Sequence, residues 1–135
     1  MTRQALRKLN KIAKAFDCKV VESDGFCYWY ADSLIEVTDK PLPHDDEFLA
    51  LCRECGLDSR VNVFTISFFH EIGHNETLDE VDDMEDTDLK ESLSMRDYFF
   101  LEEEYIATEW AIDYCNSHIK MIEKLQKALD KYNKK

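Results

Sequence analysis

Apolar residues recur at three- and four-residue intervals at the start of the chain, where Leu6, Leu9, Ile12, Ala13 and Phe16 alternate with Arg, Lys and Asn. That spacing is one stripe of a helix and predicts a first helix from Thr2 to Phe16. The pattern then changes to β-branched and aromatic residues in "CKVVESDGFCYWYADSLIEV". Asp24-Gly25 within it is a two-residue hairpin signal, because a type I′ turn needs positive φ at both central residues. Two antiparallel strands are expected to meet there, with Ser33 to Thr38 as a third.

"TDKPLPHDDEFLALCRECGLDS" holds both prolines. It reads as a loop followed by a short helix, opened by Asp45 and Asp46 and stopped at Gly56. Asp58 or Ser59 is the expected cap of the next helix, which runs through "RVNVFTISFFHEIGH" and is apolar on nearly every side of its first two turns. Such a helix is buried centrally. "ETLDEVDDMEDTDLKES" reads as an exposed acidic loop with room for a helical turn, and a last long helix or helix pair covers about Asp97 to Tyr132. Ile119, Ile122, Leu125 and Leu129 give that last stretch an apolar face, which can serve this core or another chain. The expected fold is α+β, a small antiparallel sheet packed with helices, in a single domain over residues 1–135.

Charge narrows the partners. The formal net charge is -12, with the acids concentrated between Glu76 and Glu104 and the bases in the first helix and the tail. No continuous basic stripe for nucleic acid exists, so direct nucleic-acid binding is not expected. The basic opening is amphipathic rather than a signal peptide, and no apolar run reaches membrane-spanning length, so a cytoplasmic protein without a membrane partner is expected. Five cysteines at irregular spacing argue for reduced thiols, and the lone C-x-x-C of Cys52 and Cys55 reads as small half-buried residues on a helix.

Candidate chemistry lies in "FFHEIGHNET". A helix advances about 100° per residue, so His70 and His74 share a face one turn apart and can hold one ion. Neutral imidazole is a good zinc ligand, and Glu71 between them stands where a carboxylate can take a proton from a water activated by the ion. A catalytic zinc takes three protein ligands, and "LEEEYIATEWAIDYC" offers three glutamates. Glu102 shares its face with Glu109 and Asp113, and Glu103 lies nearer Ile106, Trp110 and Tyr114. Only Glu104 sits among small residues, on the face of Ala107, Thr108, Ala111 and Cys115. Two helices bridged by a metal must approach closely, which those alanines and Gly73 permit.

The pair "HEIGH" and, thirty positions after its second His, "EYIATEWA" resembles the zincin-like metallopeptidases of the ImmA/IrrE type. Their motifs are H-E-x-x-H and a downstream E-x-x-A-[NT]-x-[FW]-A. The resemblance spans roughly Arg60 to Cys115, and the first helix and hairpin look like that family's first half. It implies a minimal zincin-like fold, Zn2+ held by His70, His74 and Glu104, and Glu71 as catalytic base. It also implies an extended peptide bound along the strand nearest the cleft. The chain departs from the family in its acidic connection and in lacking a helix-turn-helix domain, so a regulatory partner would be a separate chain. The antirestriction proteins with a related metallopeptidase part are a looser resemblance.

The resulting expectation is a zinc-dependent metallopeptidase cleaving a specific intracellular protein, a basic DNA-binding repressor of a phage or mobile element. Tyr105, Tyr98 and His118 are the candidate donors to an oxyanion. His118 lies too far along its helix to join the ion and is expected to cap or face solvent, and His44 is expected in a loop. The alternative is a non-catalytic acidic module that mimics nucleic acid on a zinc-braced fold. The acidic run lacks the spaced oxygens and central Gly of an EF-hand, which argues against calcium.

Overall fold

The computed structural model describes residues 1–81, 90 and 92–133. The run 82–89 and residue 91, which hold most of the expected acidic loop, lie outside the described residues. Helix α1 spans Arg3–Lys14 and is capped by Thr2, whose hydroxyl accepts from the Ala5 amide at 3.1 Å. It buries Ala5, Leu9 and Ala13, while Leu6, Ile12 and Phe16 of the predicted stripe pack at its margins.

Strands β1 (Lys19–Glu22), β2 (Cys27–Trp29) and β3 (Leu34–Val37) form one sheet in the order β1-β3-β2. The sheet is mixed, not antiparallel as expected. β3 runs parallel to β1, with Val20 opposite Ile35, and antiparallel to β2, with Tyr28 opposite Ile35. Gly25 does not take the left-handed φ of a type I′ turn. The residues 23–26 instead carry the chain past the place of β3, a span of about 10 Å at ordinary strand spacing. The tight hairpin is the next one: the Asp32 amide donates to the Trp29 carbonyl at 3.3 Å, and Ser33 takes φ 49°. The central place goes to the strand that buries most, since Ile35 and Val37 are fully enclosed and a middle strand offers the most apolar contact.

Among the described residues no strand lies on the outer side of β1. There the Asn10 side chain accepts from the Val20 amide at 2.8 Å and donates to the Val20 carbonyl at 3.0 Å, so α1 satisfies that backbone.

Helix α2 spans Asp45–Glu54 and ends as predicted at Gly56, whose φ is 99°. The Leu57 amide returns to the Cys52 carbonyl and the Gly56 amide to that of Arg53, both at 3.0 Å, a Schellman ending. Helix α3 spans Val63–Glu76 and is buried from Thr65 to Gly73. Its cap is Asn62, which accepts from the Thr65 amide at 2.9 Å, rather than Asp58 or Ser59. Asp58 is engaged by Arg60 at 2.9 and 3.0 Å, which holds the chain in a turn before the helix begins.

A 3₁₀ turn covers Leu78–Glu80. Then follow α4 (Met95–Phe99), α5 (Glu102–Ser117) and α6 (Ile119–Asn133), so the predicted last helix is a pair broken at His118 after a separate short turn of helix. Helix α6 turns Ile122, Leu125 and Leu129 onto this chain's own core against α1 and α5. Gln126 fastens it to the turn before α3, accepting from the Asn62 amide and donating to the Arg60 carbonyl at 2.9 Å each. Helix α3 is thus enclosed by the sheet, α2 and α5. Among the described residues no helix is long and apolar enough to cross a membrane.

Candidate metal centre

Helices α3 and α5 touch backbone to backbone. A Cβ added to Gly73 would overlap the Ala107 carbonyl oxygen and lie 3.1 and 3.2 Å from the Ala107 carbonyl carbon and Cα. That approach brings the first turn of α5 against the HEIGH face of α3. Glu104 Oε1 then lies 3.0 Å from His70 Nε2 and 3.1 Å from His74 Nε2, and the two imidazole nitrogens are 3.2 Å apart. His70, Glu71 and Glu104 are 7%, 7% and 2% exposed, so these polar atoms meet nearly free of solvent.

The hydrogen bonds around the cluster fix which atoms face it. The Thr108 hydroxyl donates to the Glu104 carbonyl at 2.8 Å. Its one hydrogen is thereby used, and at 2.8 Å from His70 Nδ1 it can only accept. His70 therefore carries its proton on Nδ1 and turns the Nε2 lone pair toward Glu104 and His74. Three Lewis-basic atoms held so close repel unless a proton or a metal cation lies among them. Donor atoms about 2.0–2.1 Å from a tetrahedral zinc stand roughly 3.3 Å from one another, close to the separations found here. The donor set and its spacing fit zinc. Among the described residues, His70, Glu71 and His74 also form a group whose ligand-capable atoms all lie within 4.8 Å of one another. Glu71 Oε2 is 3.9 Å from His70 Nε2, farther from that nitrogen than Glu104 Oε1 at 3.0 Å.

Electrostatics follow the burial. Burial works against ionisation of Glu104, but the His70 and His74 rings beside it outweigh that and hold the carboxyl well below its usual range. Burial alone would lower His74, yet Glu104 and Glu71 raise it. Burial pushes the Glu71 carboxyl up, against the pull of His70 and His74.

Around this centre Tyr28 of β2 stacks on His74, with ring centres 6.2 Å apart at 10°, while its hydroxyl donates to Asn75 at 2.7 Å. Phe48 of α2 meets His70 edge-on at 5.7 Å. Lys90 Nζ lies 3.0 Å from Glu104 Oε2 and 2.9 Å from Glu103 Oε1. A cavity of about 380 Å³ opens beside His70 and Glu71, lined also by Phe26, Leu42, Phe48 and Tyr98. A second of about 340 Å³ continues it past Phe26 and Leu42 toward Asp39 and Asp46.

Of the predicted oxyanion donors only Tyr98 reaches this place; burial and the Glu104 and Glu71 carboxylates push its phenol up, so it stays protonated. Tyr105 packs on Phe99 and Phe100. His118 is the C-cap of α5, donating from Nδ1 to the Tyr114 carbonyl at 2.8 Å and stacked on that ring, the capping role expected. His44 is exposed in the loop before α2. All five cysteines are free, and burial pushes the Cys52 thiol up to about 12. Sequence reasoning missed Thr108 as the partner of His70, the burial of Glu103, and Lys90. The signal for Lys90 was its isolation, as no other Lys or Arg occurs between His74 and Arg96. Compared with models of known protein families, with curated proteins and with solved structures, the chain matches none.

Proposed function

We propose that this chain is a zinc metallopeptidase of the ImmA/IrrE type, with His70, His74 and Glu104 as ligands and Glu71 as general base. The observation that carries the reading is the convergence of two Nε2 lone pairs and one carboxylate oxygen at 3.0–3.2 Å. Three buried carboxyl groups, those of Glu71, Glu103 and Glu104, gather about the ammonium of Lys90 and the two imidazoles, an excess of acidic groups that suits a bound cation.

Zinc bound there supplies Lewis acidity toward a carbonyl and activates water at neutral pH. The remaining work falls to the protein. Glu71 takes a proton from the attacking water and returns it to the leaving amine nitrogen. Tyr98 donates its hydroxyl to the oxygen that gains charge. Phe48 and Tyr28 hold the two imidazoles in place and exclude water from their faces. The cavity along Phe26 and Leu42 takes the extended polypeptide around the scissile bond. The substrate is a specific intracellular protein, and the acidic surface suits a basic one such as a DNA-binding repressor of a mobile element.

Protein purified without added metal should carry near-stoichiometric zinc, lost in Glu104→Ala and retained in Glu71→Gln, with cleavage of the partner abolished in both. Absence of zinc even after reconstitution would overturn the metal centre. Cleavage by purified Glu71→Gln would overturn the mechanism. Full biological activity of Glu71→Gln would move the weight to an acidic binding module.

A further inference from the structure

Lys90 is the least expected member of the cluster. An ammonium beside a divalent ion is repelled by it, and a lysine side chain loses rotamer freedom when fixed. Yet Lys90 is drawn in until its side chain is 20% exposed, against carboxylates of Glu103 and Glu104 that are 2% and 3% exposed. Adjacent residues of α5 thus supply two buried acids to one ammonium.

The division of labour at Glu104 explains the arrangement. Its Oε1 faces both imidazoles at 3.0 and 3.1 Å, while its Oε2 is taken by Lys90 at 3.0 Å. A carboxylate can bind zinc through one oxygen or both, and a second bound oxygen would crowd the position that a catalytic site leaves open and raise the coordination number above four. We infer that Lys90 is a positioning residue that holds Oε2 of Glu104, so that Oε1 alone is presented to the ion, and that Glu103 anchors Lys90 for this purpose. The inference rests on the zinc reading above. It assigns a role to Glu103, which is too well buried for a surface acid and is not among the ligands. The ammonium's charge-assisted bonds to two carboxylates are stronger than neutral ones, and orientation of a ligand by such a partner is how proteins fix coordination number.

The test uses cobalt in place of zinc, because its visible absorption reports coordination geometry without any need for turnover. The wild-type chain loaded with Co2+ should show the intense bands of a four-coordinate ion. Lys90→Met should keep the metal but show bands several-fold weaker and shifted, as Glu104 binds through both oxygens, and Lys90→Arg should restore the wild-type spectrum. Glu103→Gln should move the spectrum in the same direction as Lys90→Met, and it carries the test if Lys90→Met does not fold. A spectrum unchanged in folded Lys90→Met, or unchanged in Glu103→Gln where only that variant folds, would overturn the role of Lys90 while leaving the metal centre standing. Loss of cobalt from folded Lys90→Met would overturn it too, since a choice between one oxygen and two would not then be what Lys90 controls. A wild-type chain that takes up neither cobalt nor zinc would overturn both readings.

Discussion

Replacing Gly73 with Ala sets two effects of known size against each other. Alanine favours a helix over glycine by about 1 kcal/mol, so on propensity alone α3 should gain stability. The new Cβ, however, would overlap the Ala107 carbonyl oxygen, with the Ala107 carbonyl carbon and Cα only 3.1 and 3.2 Å away. These are backbone atoms of a packed helix, which cannot swing aside as a side-chain tip could. Relief requires α3 and α5 to separate by on the order of 1 Å to reach ordinary contact, and overpacking of this kind costs about 1–3 kcal/mol. With the collision at the upper end, the net destabilisation is about 2 kcal/mol. For a chain of 135 residues, unfolding entropy of about 2.1 cal/mol/K per residue converts this into a fall in Tm of roughly 7 °C. The same separation would carry Glu104 Oε1 away from His70 and His74, beyond the ~0.2 Å tolerance of metal bonds. Thermal melts of the metal-free variant and a zinc titration against a chromophoric chelator measure the two effects separately. Gly25→Ala is the control, since nothing lies within 4 Å of its added Cβ, and its stability should stay within about 0.5 kcal/mol. A Gly73→Ala protein that melts at or above wild type and binds zinc equally well would refute the close approach.

Thr108→Val keeps the shape of the residue but frees the His70 tautomer, and zinc affinity should fall about 10- to 100-fold; equal affinity in a competition titration would refute the assignment of the Nδ1 proton. Burial pushes the Cys18 thiol up to about 11 and those of Cys52 and Cys115 up to about 12. At pH 8 a thiol reagent followed by mass spectrometry should therefore label the half-buried Cys27 and Cys55 first, and equal labelling of all five in the native chain would contradict the packing. The Arg60 hydrogen bonds hold the Asp58 carboxyl down to about 2 from 3.8. A carboxyl lowered on folding adds stability that is present above its unfolded pKa and is lost as pH falls through the folded one. Asp58→Asn should thus melt with a flatter pH dependence between about 4 and 2, and an unchanged acid limb would show the pair to be inconsequential.

Local spacing made the centre legible, and distance along the chain hid the rest. His70 and His74 are one turn apart on a helix whose apolar residues announce its burial, so their shared face follows from helix geometry alone. Glu104 was separable from its neighbours because Ala107, Ala111 and Gly73 mark where two backbones can meet, and the contact lies between Gly73 and Ala107. The sheet was misread because Asp24-Gly25 is a local signal, whereas strand order is decided by which strand gains most from the middle. Ile35 and Val37 gain it, and no spacing rule ranks them against Val20. Asn62 was overlooked as a cap because Asp58 and Ser59 come first in the sequence, and nothing there says that Asp58 is spent on Arg60. Lys90 reaches Glu104 only after the chain has turned back on α5, a closure that residue order does not encode.

The Asn10 amide on the outer side of β1 has a consequence for how this sheet meets other chains. By occupying both polar groups of Val20, it leaves that border with little to offer an incoming strand, a guard against edge-to-edge aggregation. Among the described residues the sheet then has one border open to augmentation, that of β2, and Tyr28 of β2 rests on His74. Growth of the sheet is therefore favoured on one side: a polypeptide that docks as a fourth strand is delivered beside the imidazoles, while the opposite border is already engaged at Val20.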